Sequence, residues 1–174
     1  MIRLHRLLAL VGVLATLTAC ISAPPAPPPA PVDTTTPAQR LALIEREAGV
    51  DDTELSVQPL RDPQVDDLRE TAKAKRQIGD LAAAAAALEQ ALGLVSGDPA
   101  ILQERAEVAV LQGDWNASER FAKQAIELGS KTGPLCRRHW ATIEQARLAR
   151  GEKENAASAK AQIVGCTVPG VKRY

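Results

Sequence analysis

Aromatic side chains are scarce in this chain: Trp115, Phe121, Trp140 and Tyr174 are the only four in 174 residues. Strand-built cores draw on aromatic and β-branched residues, whereas Ala and Leu, which dominate here, have the best intrinsic helix propensity. The predicted fold class is therefore all-α. Histidine is scarcer still, with His5 near the start and His139 further on. A zinc site needs several Cys or His ligands at short spacing, and they are missing. No phosphate loop, G-x-S-x-G or H-E-x-x-H motif occurs, and no paired-carboxylate signature of a glycan hydrolase can be pointed to. Excess charge is lacking too, at 21 basic and 21 acidic side chains over the whole chain. From residue 20 onward the balance is 19 basic against 21 acidic, a net −2. A nucleic-acid binder would be strongly basic. The longest apolar run, Leu7 to Leu17, has eleven residues, short of the ~20 that span a bilayer. These absences predict a protein that is not an enzyme, uses no metal or cofactor, and takes neither nucleic acid nor a small-molecule substrate.

The same short run has a use. Arg3 and Arg6 precede it as a positive n-region, and it ends in Leu17-Thr18-Ala19-Cys20. Charge, length and the small residues before the cysteine are those of an export signal. The tetrapeptide resembles the lipobox of bacterial lipoproteins. That resemblance implies removal of residues 1–19 and acylation of Cys20, and several acyl chains hold a protein far more firmly than one. The alternative is an ordinary secretory signal with a chance cysteine. Ile21 stands where an Asp would retain such a protein in the inner membrane, which points to the outer membrane, with the chain facing the periplasm.

Residues 20–36 read as a linker. Six of the eight residues from Pro24 to Pro31 are proline, which forbids a helix and favours an extended, disordered tether reaching about 50 Å at ~3.1 Å per residue. Residues 37–62 read as a short helix and an irregular connector. Thr36 can cap that helix, Pro37 suits its first turn and Gly49 ends it. Leu41, Ile44 and Ala48 share one of its faces. Whether the helix docks on the rest or stands apart is left open by its sequence.

From residue 63 to 166 the chain repeats. Gly79-Asp80-Leu81 and Gly113-Asp114-Trp115 lie 34 residues apart, each between two helical stretches. Ala72, Ala84 and Ala91 recur at the same offsets as Ala106, Ser118 and Ala125, and Leu68 recurs as Leu102. Helical hairpins of this period, with small residues where helices must approach, resemble tetratricopeptide repeats. Thr71 and Arg105 depart from the pattern. A third, weaker hairpin is set by Gly151, with Trp140 and Ala156 in register, some four residues inserted near 129–135, and Glu144, Lys153 and Lys160 breaking the pattern. The resemblance implies about three antiparallel hairpins, followed by a tail over 167–174.

Cys20 aside, Cys136 and Cys166 remain, an even pair in an oxidising compartment. They fall just before the third hairpin's first helix and just after its second, ends that lie side by side in an antiparallel hairpin, so a disulfide is expected; two free thiols are the alternative. The tetratricopeptide resemblance also implies a concave groove lined by the first helix of each hairpin. Its positions fall on Asp66, Arg69, Lys73 and Arg76, then Gln103, Glu107, Val110 and Leu111, then Arg138, Ala141, Gln145 and Leu148. Arg69, Lys73 and Arg76 form one stripe, read either as a partner-binding edge or as a solvated face. Lipid anchor, Pro/Ala tether and small helical domain together resemble the outer-membrane lipoprotein activators of class A penicillin-binding proteins. That resemblance implies a non-catalytic partner of such a synthase in peptidoglycan assembly. The other reading is a pilotin or assembly factor for an outer-membrane complex such as a type IV pilus secretin.

Overall fold

The computed structural model describes residues 33–49 and 62–167. Cys20, most of the linker, the connector 50–61 and the tail from 168 lie outside the described residues. Among the described residues there are seven α-helices and no strand: α1 (Pro37–Ala48), α2 (Pro63–Gln77), α3 (Leu81–Leu94), α4 (Pro99–Gln112), α5 (Trp115–Leu128), α6 (Gly133–Ala149) and α7 (Lys153–Gly165). None of them is long and apolar enough to cross a membrane.

Local chemistry sets the ends. The Thr36 hydroxyl accepts from the Gln39 amide at 3.3 Å while the Gln39 side chain accepts from the Thr36 amide at 2.8 Å, a reciprocal capping box that satisfies two donors a helix start leaves orphaned. Asp62 and Asp98 cap α2 and α4 through the side chain alone, accepting from Gln64 and from Ala100 and Ile101, and each is followed by proline. The two Gly-Asp turns are alike. Gly79 and Gly113 hold φ of +80° and +73°, and Asp80 and Asp114 then cap α3 and α5 through Ala83 and Ala117. The third turn keeps the glycine, with Gly151 at φ +77°, but replaces Asp by Glu152, which makes no cap hydrogen bond and turns to Arg150 at 2.7 Å instead.

The helices pair as α2/α3, α4/α5 and α6/α7, the three hairpins the repeat predicts. Ala72, Ala84, Ala91, Ala106, Ser118, Ala125 and Ala156 are all buried, and a larger side chain at any of them would push two helices apart. Between them Val65, Leu88, Ile101 and Val108 fill the first core cluster, each worth about 1.5–3 kcal/mol on full burial. Gly129 is required by proximity rather than by its backbone angle. A Cβ there would lie 2.8 Å from the Ala125 carbonyl and 3.0 Å from Pro99 Cβ.

The third hairpin differs from the sequence reading in one respect. Cys136 lies in the first turn of α6, not before it, because the helix begins at Gly133 with Pro134 favouring its first turn. It is still bonded to Cys166, with Cα atoms 5.7 Å apart, and the Gly133 amide donates to the Cys166 carbonyl at 2.8 Å. Two of the pattern-breaking charges also find a reason, since Lys160 on α7 faces Glu144 on α6 at 3.8 Å. A second tie joins α5 to α6. Burial alone would raise the Glu119 carboxyl, yet Lys123, Arg150 and Arg147 converge on it and hold it at about 2.

The short first helix docks. It packs on α6 and α4, with Ile44 wholly buried among Val110, Ala141 and Ile163, and Leu41 alongside. Its direction is fixed at both ends. Arg40 donates to the Gln145 carbonyl and side chain at 3.3 and 3.1 Å, and Arg137 Nε donates to the Ala48 carbonyl at 3.0 Å. Eight residues forward in α1 thus match eight residues back in α6, so the two helices are antiparallel. Arg40 is 2 % exposed. Its charge is met by Asp33 at 2.6 Å and by the Trp115 ring 5.7 Å away.

Candidate protein-binding cleft

The groove positions expected from the repeat separate into two groups. Arg69, Lys73, Arg76, Glu107 and Arg138 line one cleft, with Asp66, Glu70 and Glu104, between α2 and α4 and reaching α6. Its volume is ≈ 620 Å³, and Ala72, Leu88 and Val108 contribute apolar surface to its lining. Gln103, Val110 and Gln145 do not line it. They are 1 %, 0 % and 6 % exposed and cannot face a partner in this structure. Val110 and Gln145 lie beneath α1, and Gln103 is consumed by a buried polar network. Ala141 is buried beneath α1 as well, while Leu111 and Leu148 are half-buried.

Glu107 organises the cleft. It is fully buried and stands between two arginines from different hairpins. Arg76 on α2 approaches it at 3.3 Å, and Arg138 on α6 donates to it from Nη2 at 2.8 Å. The Gln103 amide donates to Glu107 at 2.9 Å and to the Thr142 hydroxyl at 2.8 Å. With that amide nitrogen so committed, the Gln103 carbonyl oxygen faces His139 Nδ1 at 2.6 Å and accepts its proton. His139 Nε2 is buried without a partner. A ring held this way is neutral, and burial, with the Arg138 and Lys131 charges adding to it, lowers its pKa to about 4. Burial pushes the Glu107 carboxyl upward, opposed by Arg138, Gln103 and Arg76. The arrangement is a brace. Side chains from α2, α4 and α6 meet on one carboxylate, and two guanidiniums are left one-third exposed at the cleft surface, at 30 % and 33 %.

The stripe on α2 is not the row of free cations its spacing suggested. Arg69 is bound through two nitrogens to Glu104 on α4, at 2.5 and 3.1 Å. Arg76 belongs to the Glu107 cluster. Lys73 has an exposed partner in Glu70 at 3.3 Å, and its side chain is 57 % exposed. Arg69 and Arg76 thus serve the fold as well as the surface, and a change at either disturbs both. The missed residues are Glu104, the answering charge on α4, and Arg40, which carries the docked helix. A charged residue at helical spacing reads as solvated, so neither had a signal. Among the described residues no group of three or more His, Cys, Asp or Glu is placed to hold a metal ion.

No family model and no curated protein matches the chain. Among solved structures it is similar to the globular C-terminal domain of P. aeruginosa LpoP, at 30% identity and a TM-score of 0.58. The match covers 60% of this chain and 99% of that domain.

Proposed function

The chain belongs to the LpoP family, and from that we propose that it is a non-catalytic, lipid-anchored protein of the outer membrane that binds and activates a class A penicillin-binding protein from the periplasmic side. In this reading Cys20 carries the anchor and the proline tract spans the distance to a synthase fixed in the opposite membrane. The observation that supports it most is the 30% identity over 99% of the LpoP domain, joined to a cleft on the groove side of the repeats whose rim is charged and open.

The test is polymerisation of glycan strands by purified class A synthases, with and without this protein. Stimulation by at least one synthase at matched concentration is expected, together with its recovery from cross-linked cell envelopes. Absence of stimulation across all of them, or recovery of a secretin instead, would replace the reading with assembly of an outer-membrane complex.

A further inference from the structure

The repeat places two equivalent grooves side by side, and the chain fills one of them itself. Helix α1 lies across α4 and α6. One repeat earlier the equivalent place lies across α2 and α4, and there the cleft is open. The register is explicit. Glu107 precedes Gln145 by 38 residues, the same step as Gly113 to Gly151, and Arg76 precedes Val110 by 34, the step from Gly79 to Gly113. Gln145 receives the N-terminal part of α1 through Arg40 and Val110 receives its Ile44. The open cleft therefore presents Glu107 and Arg76 where the filled one presents Gln145 and Val110.

The open cleft is also electrically polar along its length. Arg76 and Arg138 gather at one end around a single buried carboxylate, Glu107, with Lys73 and its partner Glu70 next to them along α2. At the other end Asp66 and Glu104 outnumber Arg69. A helix seated like α1 would run antiparallel to α2 and bring its N-terminus to the basic end. Acidic residues in a first turn and basic residues in a last turn also agree with the helix macrodipole.

We infer that the α2/α4 cleft is a docking groove for a helical segment of the partner protein, acidic at its N-terminal end and basic at its C-terminal end, lying antiparallel to α2 as α1 lies to α6. The inference rests on the protein-binding reading above and specifies what the partner offers.

Asp66 and Lys73 are the exposed members of the two ends, at 54% and 57%. Exchanging them, Asp66→Lys with Lys73→Glu, reverses the polarity while keeping net charge and leaving the Glu107 cluster intact. Two probes separate this inference from the identity of the partner. The first is a pair of stapled, alanine-based helices of roughly 12 residues, about three turns. One carries Glu in its first turn and Lys in its last, and in the other these are interchanged; the staple keeps both helical. By fluorescence anisotropy the protein should bind the first at least tenfold more tightly, and the double variant should invert that preference. Equal affinities, or no binding of either peptide, overturns the docking groove. The second probe is a class A synthase that the wild type stimulates. Here the double variant should melt within several degrees of the wild type, since two exposed i,i+3 pairs become like-charged, and lose at least tenfold in affinity. Undiminished binding overturns the groove and leaves the activator reading standing. Stimulation of no synthase by wild type overturns the activator reading, and the peptide pair still decides the groove.

Discussion

The two halves of the concave face are built on one repeat and finished in opposite ways. Over α4 and α6 the surface is apolar, with Val110 and Ala141 at its centre, and α1 closes it. Over α2 and α4 the same positions carry Arg76 and Gln103, the latter turned inward, and the face stays open. Hydrophobic contact is non-directional and is satisfied by the nearest available helix, whereas an ion-paired surface remains stable in water without a cover. Within one array, therefore, a few side chains per repeat decide whether a groove is part of the core or part of the surface. The filled half also holds the disulfide.

Removing that disulfide should give the largest effect and sharpen the contrast. The bridge closes a sequence separation of 30 residues, worth about 3–4 kcal/mol in the chain-entropy model. Cys136→Ser with Cys166→Ser should lower the unfolding free energy by that amount, and hydrogen exchange should rise in α6, α7 and α1 before α2 and α3. Uniform acceleration would mean that the halves unfold as one unit.

Next comes pH. His139 is neutral in the fold with a pKa of about 4 against an unfolded value near 6.5. Its contribution is complete above pH 6.5 and is lost as pH falls towards 4, because only the unfolded state takes up a proton in that window. His139 by itself should account for about 2–3 kcal/mol lost between pH 6.5 and 4.5, read as the difference between wild type and a His139 variant because the raised Glu107 carboxyl works in the opposite sense. His139→Gln should flatten that slope whatever it does to stability at pH 7; an unchanged slope would place the titration elsewhere.

Ile44→Ala would break the comparison directly by turning the filled groove into an open one. Ile44 is 0 % exposed, and truncating such a residue costs about 2–5 kcal/mol, limited here to what α1 contributes by docking. Protease cleavage within α1 should accelerate while the hairpins persist. The smallest effect is expected in the open half. Lys73→Ala should shift stability by no more than about 0.5 kcal/mol in thermal melts, and a larger shift would show that its pair with Glu70 is structural.

The fold was legible where short-range rules govern it. Gly79-Asp80, Gly113-Asp114 and the buried alanines at fixed offsets announce hairpins because turn conformation and helix proximity each admit few residue types. The cysteine pair was legible from an even count and the hairpin ends, although α6 begins earlier than the insertion near 129–135 suggested. The site was legible by half. Repeat register located Arg69, Lys73, Arg76, Glu107 and Arg138 on one face, but register carries no information about what else lies on that face. Gln103, Val110 and Gln145 therefore looked accessible although α1 and the His139 network bury them. Whether α1 docks depends on Arg40 reaching Gln145 more than 100 residues away, a pairing no local pattern encodes. Glu104 was overlooked for the same reason, since its partner Arg69 is on another helix.

Helix α1 is the first of the described elements in chain order, and this fixes how mechanical load arriving from the N-terminal side is shared. A pull transmitted through the backbone at residue 33 meets the Asp33–Arg40 pair first, then Ile44, and Ala48 with its tie to Arg137 last. The contacts open in sequence, like the teeth of a zipper, and not all at once. Until α1 has let go, that load passes sideways into α4 and α6 through these contacts and not along the backbone beyond Ala48. The helix behaves as a strain relief for the backbone that follows it.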